Sequence, residues 1–279
     1  MSSVKNVMKE QLDKIRKGES KQLMIIDMDV HNMVDIPNTP EFHTMRLSLT
    51  KINCAHNKIP EIPASFCTLE NLEYLNFTNN KIVALPANLC TIPKLKHLYL
   101  GCNRIDTLPK GFGSFPALEV LDLSYNNLRE QSLPRNFEML TATLRALYFA
   151  DNDFQRIPES ICRLSNLETL SFRNNDLIEL PNAVSNLKKL KEFFIEGNRL
   201  EYLPVGFGEL HFDDVNQSIL RGKENPWCRS LKDQFLLGQH HVINHIRSDN
   251  YNSELSQVLS ASARTLPPIP DKSKKASRK

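Results

Sequence analysis

The chain has 279 residues, of which 41% are apolar and 24% are charged, and its formal net charge is +3. This length and composition can bury a large core, and no apolar run approaches the roughly 20 residues that a membrane-spanning helix needs. The charge is uneven: residues 264–279 carry +5 and residues 1–21 carry +3, which leaves −5 for residues 22–263. An acidic body argues against a nucleic-acid groove, so we expect no nucleic-acid partner.

The N-terminal segment is charged and contains no signal-peptide apolar core. Its apolar residues follow helical spacing at Val4, Val7, Met8, Leu12 and Ile15. The next stretch, Leu23 to Ile36, is typical of a degenerate capping strand. We therefore expect residues 1–43 to form an N-terminal cap that consists of a helix and a strand.

A repeated frame, L-x-x-L-x-L-x-x-N-x-L-x-x-L-P, dominates the rest of the chain. The copy at Leu95 continues through Leu98, Leu100, Asn103 and Pro109. The frame asparagines are 23 residues apart, with one interval of 26, at Asn57, Asn80, Asn103, Asn126, Asn152, Asn175 and Asn198. A period this strict is the leucine-rich repeat pattern.

One copy cannot bury its own apolar side, but stacked copies share one continuous core. The alternation of apolar residues predicts a short strand in each copy, and the strands are expected to pair in parallel. The predicted fold is an α/β leucine-rich repeat solenoid. It has a curved parallel β-sheet on the concave face, a helical or irregular convex side, and a cap at both ends. About seven repeats should occupy residues 44–215.

The frame asparagine follows the strand, where the chain turns and leaves backbone groups without ladder partners. Its side-chain amide can satisfy those groups inside the coil, so we interpret the asparagine column as a structural ladder. The frame proline ends the paired region, because it cannot donate a ladder hydrogen bond. The longer fourth interval predicts a bulged loop between Arg129 and Thr143 on the return side.

Beyond the array, residues 216–250 are expected to form a C-terminal cap in which Trp227, the only tryptophan, is a packing residue. Residues 251–279 are expected to be a flexible basic tail. The tail is interpreted as solubilising, with contact to acidic lipid or a role in nuclear entry as alternatives.

Six cysteines occur without a CxxC pair. Cys67 and Cys90 should lie on neighbouring coils, and we expect them to be reduced in a cytoplasmic protein. His241 and His245 are four residues apart, but Val242 stands where a metalloprotease motif needs glutamate. No other acid–base, nucleophile or phosphate-binding pattern occurs, so we expect no metal, no cofactor and no catalysis.

The strand positions between the apolar residues should point outward on the concave face. Four of the six tyrosines fall there, and tyrosine is a favoured anchor at interfaces. The alternative is that these tyrosines simply suit an exposed strand. The predicted partner-binding residues are Tyr74, His97, Tyr99, Asp122, Tyr125, Tyr148, Asp151, Arg173 and Phe194. Asp122 and Asp151 are expected to pair with basic groups of a partner, and Tyr99, Asp122, Tyr125 and Tyr148 should form the centre.

The 23-residue copies with a fixed Leu-Pro resemble the intracellular Ras-group leucine-rich repeat proteins. The likeness covers nearly the whole chain and includes residues 110–114, residues 116–128, Asn225-Pro226-Trp227 and residues 271–275. It is weakest before Asn57 and in residues 249–265.

That resemblance implies a cytoplasmic adaptor at focal or integrin adhesion sites. The adaptor would bind the last LIM domain of a PINCH protein through the concave face. Through PINCH it would reach integrin-linked kinase and parvin, and it would restrain Ras-pathway signalling. By itself the chain is expected to be monomeric. The alternative is a regulatory subunit or scaffold that uses the same face to hold a phosphatase or a small GTPase.

Overall fold

The computed structural model describes residues 2–24, 43–214 and 217–260. The chain divides into two compact units, residues 1–147 and residues 148–279. The described residues contain nine three-residue strands: β1 Gln22–Met24, β2 Lys51–Asn53, β3 Tyr74–Asn76, β4 His97–Tyr99, β5 Val120–Asp122, β6 Ala146–Tyr148, β7 Thr169–Ser171, β8 Glu192–Phe194 and β9 Ile219–Arg221. They also contain six α-helices: α1 Ser2–Arg16, α2 His43–Ser48, α3 Glu159–Cys162, α4 Arg229–Leu237, α5 Gln239–Ile246 and α6 Asp249–Ser260.

In the first unit, β1 to β5 pair in parallel, each strand with the next. The register advances by one repeat at every pairing, so that Tyr74 lies beside His97 and Tyr99 beside Asp122. The middle residue of each of these strands is apolar and buried, as the frame predicts. In the second unit, β7, β8 and β9 pair in parallel in the same manner.

Between strands the chain returns mainly through short 3₁₀ helices: Ala64–Thr68, Leu89–Thr91, Phe112–Ser114, Glu130–Ser132, Phe137–Ala142, Asn182–Asn186 and Val205–Glu209. The frame proline starts this return path, because its carbonyl accepts a hydrogen bond from the residue three positions later. Pro63 accepts from Phe66 at 3.0 Å, and Pro204 accepts from Phe207 at 2.9 Å. Both phenylalanine side chains are completely buried.

The frame asparagines are buried, and their amides bind the backbone of two coils. In Asn103, Nδ2 donates to the carbonyl oxygens of Phe77 at 2.9 Å and Leu100 at 3.0 Å. Its Oδ1 accepts from the backbone nitrogen of Ile82 at 3.0 Å. Asn175 repeats this arrangement in the second unit. The column therefore satisfies backbone groups that the short strands leave unpaired.

The three additional residues between Arg129 and Thr143 form a 3₁₀ turn, Glu130–Ser132. The Ser132 hydroxyl accepts a hydrogen bond from the backbone nitrogen of Arg129 and donates one to the carbonyl of Asp106. The insertion is thus bonded to the preceding coil and lies on the return side.

Glutamine side chains cover the outer strand edge in each unit. Gln11 of α1 bonds to both the nitrogen and the oxygen of Met24, at 2.7 and 2.6 Å. Gln239 of α5 accepts from Leu220 at 2.9 Å and donates to the Phe212 and Ser218 carbonyls. Most of the predicted strand Leu23 to Ile36 lies outside the described residues.

Helices α4 to α6 pack against the last repeat, and Trp227 is a packing residue as predicted. Its indole nitrogen donates to Gly222, and its ring stacks on Phe235 with a centroid distance of 4.8 Å. The expected flexible tail is wrong for residues 251–260, which belong to α6. Tyr251 is completely buried there, and its hydroxyl bonds to the backbone of Leu203. Residues 261–279 lie outside the described residues.

Cys67 and Cys90 are free thiols, and burial raises the pKa of Cys67 to about 11. Within the described ranges, no helix has both the length and the apolarity that a membrane crossing requires.

Candidate protein-interaction surface

The outward residues of β2 to β5 and of the turns that follow them form a surface of the first unit, which we name the first strand face. Strand alternation positions these side chains, because the buried middle residue of each strand holds its two neighbours outward. The outward residues of β3 and β4 are half-buried, so they are fixed in position while part of each side chain reaches solvent. The predicted residues Tyr74, His97, Tyr99, Asp122 and Tyr125 lie on this face.

Three predicted rings are neighbours on the first strand face. The ring of Tyr74 lies 5.3 Å from that of Tyr99 and 6.2 Å from that of His97, between centroids. The Lys51 ammonium lies 4.6 Å from the Tyr74 centroid, and Asn76 donates to the Tyr74 hydroxyl at 3.3 Å. The cluster therefore offers an amphipathic area whose side chains are already ordered.

Asp122 is packed beside Gly101 of the preceding coil on the first strand face. Its Oδ1 accepts a hydrogen bond from the backbone nitrogen of Ser124 at 2.9 Å, which fixes the carboxylate. A β-carbon added at Gly101, on the preceding coil, would lie 3.2 Å from Asp122 Oδ2 and 3.4 Å from the Ser124 carbonyl. Any side chain at position 101 would therefore crowd the Asp122 carboxylate, which lies in register with Tyr99.

The residue before each frame asparagine has a left-handed backbone, which the sequence did not reveal as a column. The values of φ are 57° at His56, 54° at Cys102 and 56° at Tyr125. Bulky residues rarely adopt this conformation, which costs free energy and is often retained at functional sites. The sequence did contain a signal for this left-handed column. Three of its members are Asn79, Asn174 and Gly197, and asparagine and glycine tolerate positive φ.

The Asp151 carboxylate, which we expected to pair with a basic group of a partner, is already engaged within the chain. Asp151 is only 9% exposed. In the second unit its carboxylate lies 3.6 Å from the Arg173 guanidinium and accepts from Asn174 Nδ2 at 3.3 Å. The reason is register, because Asn174 follows Asp151 by one repeat of 23 residues. Asp151 and Arg173 are therefore partners of each other.

The second unit has an outward surface of its own, which we name the second strand face. It consists of the outward residues of β7 to β9 and of the turns that follow them. Phe194 is half-buried there, and the Arg221 guanidinium lies 5.6 Å from its ring centroid. Thr169 donates to Glu192 at 3.0 Å. Tyr148, another predicted residue, is half-buried at the end of β6.

Comparison with known proteins agrees with this architecture. Residues 107–212 match a family model described as a leucine-rich repeat region, and residues 77–128 match one described as a leucine rich repeat. A leucine-rich repeat protein of Leptospira interrogans has a similar structure, with a TM-score of 0.58 and 26% identity over 80% of this chain and 59% of that chain. The predicted leucine-rich repeat fold is thus confirmed.

Two curated relatives match almost end to end. Ras suppressor protein 1 of Homo sapiens is 50% identical over 98% of this chain and 96% of its own length. Ras suppressor protein 1 of Bos taurus has the same identity and the same coverage.

Proposed function

Because the chain belongs to the Ras suppressor protein 1 family of leucine-rich repeat proteins, we propose that it is a non-catalytic adaptor of Ras-pathway signalling. It binds a LIM domain of a PINCH-type protein through the first strand face. PINCH connects it to integrin-linked kinase and parvin at cytoplasmic adhesion sites, and this assembly restrains Ras signalling. The name of the relatives supports the link to Ras, and the repeat fold supports a role in protein binding.

One observation carries the proposal: the contiguous rings of Tyr74, His97 and Tyr99 lie beside the Asp122 carboxylate on one face. Aromatic anchors dominate the binding energy of protein interfaces when they are ordered before binding. The hydrogen bonds of Tyr74 and Asp122 supply that order, so the entropy lost on association is small.

The charges on this face indicate which groups the partner presents. The Asp122 side chain is half-buried in register with Tyr99, so a lysine or arginine side chain of the partner can pair with this carboxylate from solvent. Such a pair would be partly shielded from solvent, which makes it stronger than a fully exposed pair. The tyrosine rings beside it can also accept a cation over their faces.

Isothermal titration of the full chain with a purified PINCH LIM-domain fragment tests the proposal. Tyr99→Ala and Asp122→Lys should each weaken binding by roughly 30-fold, the effect of losing about 2 kcal/mol at an interface hot spot. Val83→Ala and Asp106→Lys are matched controls, because both side chains are exposed outside the first strand face. The controls should bind like the unmodified chain. Unchanged binding by Tyr99→Ala and Asp122→Lys would contradict the proposal.

Affinity capture distinguishes the LIM-domain proposal from the alternative role as a regulatory subunit or scaffold. If the LIM fragment does not bind, affinity capture with the unmodified chain and with Asp122→Lys should be compared. A phosphatase or a Ras-type GTPase that is captured only by the unmodified chain would replace the LIM proposal with a role as regulatory subunit or scaffold.

A further inference from the structure

Two neighbouring leucines at the end of α4 are open to solvent. Leu236 is 79% exposed and Leu237 is 64% exposed. Single exposed apolar residues are ordinary on a protein surface, but two adjacent ones form an apolar patch. Removing such side chains from water is favourable, so a surface that covers both leucines would gain free energy.

The leucines lie at a corner of the second unit. Gly238 ends α4 with a φ of 128°, and α5 begins at the next residue, Gln239. A β-carbon added at Gly238 would meet no atom within 4 Å, so the chain is open to solvent at this corner. Phe235, just before the leucines, stacks its ring on Trp227 at a centroid distance of 4.8 Å. The two leucines therefore project from a helix that is held in place by other side chains.

The outer face of α4 carries cations beside the leucines. Lys232 lies one helical turn before Leu236, and Arg229 lies three residues before Lys232, so the three side chains share one face. Lys232 and Arg229 are both exposed. Asp233 is an exposed carboxylate on the same helix, but residues 221–241 hold four lysines and arginines against only two acidic residues. This stretch is therefore positive, although the chain body carries −5.

We infer that this corner docks on a membrane surface that contains anionic lipid, and we name it the leucine corner: Arg229, Lys232, Leu236 and Leu237. The leucines enter the boundary between the headgroups and the acyl chains, and the cations stay at the level of the headgroup phosphates. Each lysine or arginine near an anionic bilayer strengthens the attraction. The docking is peripheral and reversible, because two side chains bury little apolar area. It goes beyond the proposed adaptor function and does not depend on it.

A second copy of the chain fits the leucine corner less well than an anionic bilayer does. In a symmetric dimer the same patch meets itself, so Lys232 and Arg229 would face cations of the other copy. Two leucines also bury far less than the roughly 1,600 Å² of a standard protein interface. A bilayer receives the leucines and pairs with the cations, and the +5 charge of residues 264–279 adds attraction of the same sign.

Co-sedimentation of the full chain with extruded vesicles tests the inference. Vesicles of phosphatidylcholine and phosphatidylserine at a ratio of about 7:3 should bind the chain, and vesicles of phosphatidylcholine alone should bind it much more weakly. The double variant Leu236→Ser, Leu237→Ser should weaken binding to the anionic vesicles by about 30-fold, because both side chains lose apolar burial. Lys232→Gln should weaken it by about fivefold, the effect of one cation near the bilayer.

Val205→Ser and Lys189→Gln are matched controls from the second unit. Val205 is 46% exposed on the 3₁₀ helix Val205–Glu209, and Lys189 is exposed before β8. Both controls should bind the anionic vesicles as the unmodified chain does. Urea denaturation followed by Trp227 fluorescence should give the same midpoint for every variant, because each replaced side chain is exposed.

Leu236→Trp locates the contact. The emission of the new indole should shift to the blue on the anionic vesicles and be quenched by brominated lipid, whereas Trp227, which is only 8% exposed, should not be quenched. An absence of shift and quenching at position 236 would contradict the inference.

The inference is also overturned if the chain does not bind the anionic vesicles, or if vesicles without phosphatidylserine bind it equally well. Equal binding by the double leucine variant would likewise overturn it, since attraction by basic residues alone would then explain the result. A dimer in sedimentation velocity that the leucine substitutions dissociate would assign the corner to a second copy instead. None of these measurements uses the LIM-domain fragment, so the adaptor proposal stands or falls by its own titration.

Discussion

Replacing Asn103 with alanine should destabilise the first unit strongly, because one amide serves two coils. The side chain donates to the carbonyls of Phe77 and Leu100 and accepts from the nitrogen of Ile82, all at 2.9–3.0 Å. Asn103 is only 6% exposed, so water does not replace these bonds freely.

The magnitude follows from one orphaned backbone donor and two weakened acceptors. The Ile82 nitrogen loses its acceptor, whereas the Phe77 carbonyl keeps a bond from Asn80 and the Leu100 carbonyl keeps one from Asn126. Each buried group without a partner costs about 1–3 kcal/mol, and a water that enters the vacated space recovers part of this. Two further lost bonds, whose acceptors stay satisfied, add about 0.5–1 kcal/mol each. We expect a loss of about 2–4 kcal/mol in the free energy of unfolding, a large share of the 5–15 kcal/mol typical of a native protein. Asn127→Ala is the control, because the amide of Asn127 makes only a 3.4 Å bond to the Arg104 carbonyl.

Urea denaturation measures the overall loss in the free energy of unfolding, and native-state hydrogen exchange shows which amides lose protection. The Ile82 amide should lose its protection in Asn103→Ala and keep it in Asn127→Ala. The reasoning is refuted if Asn103→Ala costs less than about 1 kcal/mol, the size of an ordinary surface substitution, and Ile82 remains protected.

Two further predictions concern the second unit. Gly222→Ala should cost about 1–3 kcal/mol by overpacking, since the new β-carbon would lie 2.6 Å from the Phe235 ring, and Trp227 fluorescence during unfolding reports the loss. The pKa of Asp213 is lowered by its own backbone N–H and by the Arg247 guanidinium. The ionised carboxylate therefore stabilises the folded chain above the ordinary pKa of aspartate, and this stabilisation is lost as pH falls through the folded-state pKa. Asp213→Asn should therefore be less stable at pH 7 and equal to the unmodified chain in strong acid, which denaturation at several pH values checks.

The repeat frame located the strands and the outward positions correctly because both follow from local alternation. Leu75 and Leu98 are completely buried, and the residues on either side of each are half-buried. The asparagine column was equally predictable, since an amide after each strand has only unpaired backbone groups to satisfy. These features need no knowledge of distant contacts.

Features that depend on a neighbouring coil or a distant segment were missed. In the sequence, the Asp151 carboxylate has no obvious partner within its own repeat. Arg173 and Asn174, which contact it, belong to the next repeat and come close to it only in the folded chain. Helix α6 was expected to be flexible, yet the hydroxyl of Tyr251 bonds to Leu203, 48 residues earlier.

Hydroxyl-radical footprinting of the chain with and without the PINCH LIM-domain fragment tests the central claim most directly. The side chains of Tyr74 and Tyr99 should be oxidised more slowly in the complex. Val83 and Met139, which are 51% and 60% exposed outside the first strand face, should be oxidised at the same rate in both states. Protection of Val83 or Met139, with the two tyrosines unchanged, would contradict the account.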